Sequence, residues 1–169
     1  ESDLCRLGDT PYGLTELLGL RRTEIDGMYD SEVRRCAPVD GVTLPEAQAS
    51  VLCEVAALHD TDPATPLSVY AEDYYANCPA VAVHSYGEGR AYYLASRFEE
   101  AFYRAFYRAA VKEVGLTPAW PEALPDGVLA ARRGTFVFVQ KCNEHPVEVG
   151  GVALNRYGTA VWKNGEQIL

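Results

Sequence analysis

Pro118, Pro121 and Pro125 fall within one short stretch, Thr117 to Pro125, and that stretch decides how the chain can be organised. Each proline fixes φ and removes an amide donor, so neither a helix nor a paired strand can cross it. Trp120 sits among them, and the composition changes on either side. The expectation is two bodies, residues 1–117 and 118–169, joined by a linker at the start of the second.

Upstream, Thr10 can cap a short helix, Pro11 suits its first position, Leu14, Leu17 and Leu18 give it one apolar face, and Gly19 stops it. Leu20 to Tyr29 reads as partly extended, and Pro38 to Pro45 as turn-rich. Ala49 to Leu58 alternates like a strand, with Val51, Cys53 and Val55 on one face and Leu52 opposing them. Leu67 to Tyr70 is a second short strand. Ala80 to His84 and Ala91 to Ala95 form a hairpin about a loop holding Gly87 and Gly89.

A long helix is expected next. Ser96 with Glu99 three residues on has the form of a capping box, and Gly115 supplies the stop. Phe98, Phe102, Phe106 and Ala109 or Ala110 recur at helical spacing, with Tyr103 and Tyr107 beside them and Arg104, Arg108, Lys112 and Glu113 on the wetter side. The phenylalanines read as core. The tyrosines widen the apolar arc beyond what one sheet face needs, so they fit core and partner contact equally. Beyond the linker, Val128 to Arg133, Thr135 to Gln140, Val147 to Val149, Val152 to Leu154 and Thr159 to Trp162 are β-type runs separated by Gly and Asn turns. The fold class expected from these patterns is α/β up to about Thr117, followed by a small antiparallel β unit.

Charge narrows the partners. A formal net charge of −9, spread along the chain, repels phosphate backbones and argues against nucleic acid. No apolar run approaches the roughly 20 residues of a membrane-spanning helix, no signal peptide is read in the chain, and Glu1-Ser2-Asp3-Leu4, without an initiator Met, reads as a cut end. Cys5, Cys36, Cys53, Cys78 and Cys142 are odd in number and widely spaced, which points to reduced thiols in the cytoplasm, Cys5 and Cys53 serving as small buried hydrophobes.

Chemistry-bearing patterns are scarce. Gly87-x-Gly89-Arg90 leads into a strand rather than a helix, which suits a hairpin turn better than an anion-binding loop. His59, His84 and His145 lack ligand-like neighbours for a zinc site. No Gly-x-Ser-x-Gly elbow or cysteine counterpart occurs, so acyl transfer has no nucleophile. Asn143-Glu144 has the form of an acid-bearing pair in barrel glycosidases. A retaining glycosidase needs two carboxyl groups about 5 Å apart, and no second glutamate at a strand end opposes this one. The pair reads as a solvated loop. No catalytic, cofactor-binding or metal-binding residue is assigned, and no cofactor is implied.

Several strings, in order, resemble a known family. They are Glu1-Ser2-Asp3-Leu4-Cys5 with Gly8 and Pro11; Leu18-Gly19-Leu20 leading to Thr23-Glu24-Ile25-Asp26; Tyr70-Ala71-Glu72-Asp73-Tyr74-Tyr75 before Pro79-Ala80; and, most specific, Tyr86 to Arg97, YGEGRAYYLASR. Together they resemble the trimerisation domain of glycoside hydrolase family 42 β-galactosidases, and Gly134 to Val149 is similar to the start of that family's C-terminal β-domain. The resemblance implies that an N-terminal (β/α)₈ barrel outside this chain carries both catalytic glutamates, with a cysteine zinc cluster in some members. It also implies a middle domain of the class I glutamine amidotransferase, flavodoxin-like fold without its catalytic residues. The function it implies is homotrimer assembly of an enzyme that hydrolyses terminal β-galactosides with retention, the galactoside being bound by the barrel. A free-standing binding or scaffold module of amidotransferase-like fold is the alternative.

Overall fold

The computed structural model describes residues 13–169. The chain divides into two compact units, with the division between Lys112 and Glu113. The expected cap Thr10, the first-turn Pro11 and Cys5 lie outside the described residues.

The first unit opens with one helical turn, α1 (Thr15–Leu18), closed by Gly19 at φ 62. No side chain caps its start, where Leu14 stands. Seven strands follow: β1 (Leu20–Gly27), β2 (Arg34–Pro38), β3 (Ala47–Leu58), β4 (Thr65–Tyr70), β5 (Pro79–Tyr86), β6 (Gly89–Leu94) and β7 (Ser96–Phe98). They pair in the order β1-β3-β2-β4-β5-β6. β7 continues β6 beyond Ala95 and pairs with β3, so the sheet curls back on itself. Ala95 seals that closure: its N–H donates to Ala80 O at 2.9 Å, and its carbonyl accepts from Glu54 N–H at 2.7 Å. Such curvature needs bends. The register shifts at Arg22/Glu24, Ser50/Cys53 and Pro66/Ser68 supply them, Pro66 being a strand residue that cannot donate to a ladder.

The α/β, flavodoxin-like amidotransferase expectation is overturned. Every strand pair in this unit is antiparallel. A flavodoxin-like sheet is parallel, and each parallel crossover takes a dozen or more residues, usually a helix. The connections here, such as 59–64 and 87–88, are too short to hold one. Among the described residues only α2 (Glu100–Glu113) exceeds a single helical turn. The expectation rested on the family resemblance and on one strong helix after a hairpin, and a strand-then-helix sequence is equally compatible with an antiparallel sheet.

Two local expectations also change. Ser96 does not cap a helix; it lies in β7, and its hydroxyl donates to Leu52 O at 2.6 Å. Glu99 instead accepts from Gln48 N–H at 2.8 Å, while its backbone carbonyl takes the amides of Phe102 and Tyr103. Phe98 is therefore a strand residue, although it still packs on Phe102. In β3 the alternation breaks at Val51, which sits at φ 71 and is half exposed, so Ala47, Ala49, Cys53 and Ala56 are the buried positions.

Buried in the first unit are Cys36, Ala49, Cys53, Tyr70, Tyr75, Val81, Phe98, Phe102 and Phe106, with Leu18, Leu20, Ala56, Ala64 and Ala82 forming a second cluster. β5 is buried along most of its length, and its Ala-Val-Ala-Val run, covered on both faces, lacks polar alternation. The second unit holds a four-stranded antiparallel sheet in the order β13-β12-β9-β8 and a separate hairpin, β10-β11. These are β8 (Val128–Arg133), β9 (Phe136–Lys141), β10 (Val147–Val149), β11 (Val152–Leu154), β12 (Thr159–Lys163) and β13 (Glu166–Gln167). Val128, Val139, Val149, Leu154, Ala160 and Trp162 form its core.

Candidate functional site

The surface best suited to a function lies on α2. Its spacing places Phe102 and Phe106 on one side, where they are buried at 0% and 5% exposure. One position round, Tyr103, Tyr107 and Val111 follow one another at i, i+4 and i+8 and so share a face. Tyr103 is half-buried: its hydroxyl accepts from Phe98 N–H at 3.3 Å, and its ring meets those of Phe98 and Phe102. Tyr107 stacks beside it at 6.4 Å and is 60% exposed, while Val111 is 40% exposed. Ala109 is exposed and Ala110 half-buried. The two tyrosines that looked alike in sequence thus differ: Tyr103 ties the helix to β7, and Tyr107 faces outward. Val111 was missed in the sequence, although its spacing of four from Tyr107 is visible there.

The same helix carries Arg104, Arg108 and Lys112, with Glu100 paired to Arg104 Nη2 at 2.6 Å. With Glu113 at its end, α2 carries three basic and two acidic residues around this aromatic centre. Tyrosine and arginine are enriched in protein–protein contacts.

The patterns weighed for chemistry do not converge. Gly87 and Glu88 form the two-residue turn between paired Tyr86 and Gly89, with Gly87 at φ 56. Glu144 accepts from Arg156 Nη2 at 2.5 Å, with both side chains more than half exposed. Asn143 donates to Asp126 O at 3.0 Å. His84 is buried beneath Gly19: its Nδ1 donates to Leu17 O at 2.9 Å, and its Nε2 lies 3.3 Å from Asp62 Oδ2 without hydrogen-bond alignment. The Leu17 carbonyl, above all, raises its pKa, burial opposing and Asp62 assisting. Burial pushes the Cys36 thiol up to about 12 and raises Cys53 as well, which disfavours either as a nucleophile. Among the described residues no group of three or more His, Cys, Asp or Glu is placed to hold a metal ion, and no helix is long and apolar enough to cross a membrane.

One charged cluster had no local signature. Glu54 on β3 accepts from Arg22 on β1 at 2.6 Å and from the Tyr93 hydroxyl on β6. Burial and this carboxylate raise the tyrosine's pKa. The cluster links strands far apart in sequence, which makes it a brace of the curled sheet.

Comparison with known proteins places these features in context. The family described as β-galactosidase trimerisation domain matches residues 1–117. β-Galactosidase BglY of Alicyclobacillus acidocaldarius is 43% identical over 136 residues, covering 79% of this chain and 19% of the relative. β-Galactosidase Pbg of Clostridium perfringens is 34% identical over 145 residues, covering 82% and 21% respectively. The crystal structure of the β-galactosidase from Rahnella sp. R3 superposes with a TM-score of 0.78 at 35% identity, over 98% of this chain and 26% of that one. The chain thus spans about a fifth of the length of these curated relatives.

Proposed function

We propose, from the premise that the chain belongs to the family of β-galactosidase trimerisation domains, that it is the non-catalytic assembly segment of a larger glycoside hydrolase. The match over residues 1–117 carries this reading. In it, residues 1–117 hold subunits together and residues 118–169 form a linker and C-terminal β-domain.

The parent enzyme hydrolyses terminal β-galactosides with retention, through a glycosyl-enzyme intermediate on two carboxylates of a barrel outside this chain. Three subunits associate cyclically, each presenting one patch to a different patch on the next. The outer face of α2, with Tyr107, Val111 and its arginines, is one such patch, and the acidic remainder of the chain supplies its complement. No residue of this segment takes part in the chemistry, and neither nucleic acid nor membrane is a partner. The four described cysteines are unpaired, which supports a reducing cytoplasm.

Sedimentation velocity on the chain tests the assembly role. Concentration-dependent association is expected, weakened at raised salt because the patch is charged. A clean monomer at tens of micromolar, roughly the range of weak interfaces, would overturn it.

A further inference from the structure

The second unit holds a cleft of about 600 Å³, within the range of small-molecule sites. It contains both tryptophans of the chain, with ring centroids 4.8 Å apart and an interplanar angle of 63°. Trp162 belongs to the core, whereas Trp120 comes from the linker and is half-buried. Gly150 makes this possible, since a Cβ there would lie 2.8 Å from the Trp120 ring. Around the aromatic centre stand Arg132, Thr135 and Asn164, all exposed. Arg132 Nη2 donates to Ala119 O at 3.2 Å, which holds the linker against the sheet. Asn164 N–H donates to Thr135 O at 3.0 Å, fixing the two turns that carry the hydroxyl and the amide. Gly134 and Gly165, in those turns, leave open space where a side chain would stand.

We propose that this cleft binds a neutral pyranose saccharide, with Trp120 as the surface on which the ring lies. A pyranose presents C–H groups on its faces and hydroxyls around its rim. An indole face accepts the former, and a guanidinium, a hydroxyl and a carboxamide supply donors and acceptors for the latter. The lining contains no carboxylate, so the cleft offers no negatively charged ligand to a metal cation. The inference concerns the second unit alone and stands whether or not the chain associates.

Because the only tryptophans lie here, tryptophan emission reports this cleft and nothing else. The 169-residue chain is titrated with lactose, and with sorbitol as an acyclic polyol of similar hydrogen-bonding character. A saturable change with lactose is expected, with a dissociation constant on the order of millimolar, and none with sorbitol. The paired substitution Thr135→Val and Asn164→Gly, both on exposed turns, should weaken lactose binding at least tenfold while leaving the emission of the free chain in place. An unsaturable drift matching sorbitol overturns the proposal. So does saturation unaltered by the paired variant, or tighter binding of glucuronate than of lactose, which would mark an anion site built on Arg132.

Discussion

At Val51 the backbone takes φ 71, a region where a β-branched side chain crowds the neighbouring carbonyl. The residue is half exposed, so little packing offsets that strain. Val51→Gly should therefore stabilise the chain by about 1 kcal/mol and raise the melting midpoint by roughly 2–4 °C; an unchanged or lower midpoint in a thermal melt would contradict the strain argument. Gly19 is the reverse case. It sits at φ 62, and a Cβ would stand 2.6 Å from both Ala64 N and the His84 ring. Gly19→Ala should lower the midpoint by more than about 4 °C. His84 beneath it has its folded pKa raised above the unfolded value of about 6.5. Its contribution is then fully present below pH 6.5 and lost as pH rises through the folded value. Urea midpoints of the unsubstituted chain should fall from about pH 6.5 upward, and His84→Gln should flatten that slope.

Within α2, the period of the apolar residues and the stop at Gly115, which sits at φ 66, were legible in sequence because both are set by contacts within a few residues. Its start was not. Ser96 and Glu99 have the spacing of a cap, yet the amide of Gln48 and the carbonyl of Leu52, both on β3, claim them. The burial contrast on the helix gives a paired test. Phe102→Ala should cost about 3–5 kcal/mol and lower the midpoint by at least roughly 6–12 °C. Tyr107→Ala should hardly change the midpoint while weakening association in sedimentation. Tyr103→Ala should do both, since its ring packs on Phe98 and Phe102. Equal melting of the Phe102 and Tyr107 variants would show the faces misassigned.

For the chain as a whole, the predicted property is inactivity toward β-galactosides. Retaining glycosidases need an acid and a nucleophile about 5 Å apart in a pocket that excludes water. Glu144 instead pairs with Arg156 on the surface. The purified chain should leave a chromogenic β-galactoside intact, and Glu144→Gln should change stability by no more than about 1 kcal/mol, as for an exposed pair. Turnover abolished by Glu144→Gln would place the chemistry in this segment and refute the assembly reading.

The β5–β6 hairpin, the irregular stretch around Pro118 to Pro125 and the buried side of α2 were determined by the sequence itself, whereas the short strands β2, β7 and β13 were not legible there. Each of the former depends on local terms: proline stereochemistry, two-residue turns and side-chain period. How the strands pair was decided only in three dimensions. A β-run carries no mark of whether its neighbour is parallel or antiparallel, and the hydrophobic pattern of β5 suits any strand covered on both faces. The closure through Ala95, the Arg22–Glu54–Tyr93 brace and the meeting of Trp120 with Trp162 join residues tens of positions apart. No local propensity encodes them; they exist because the curled sheets bring those backbones together.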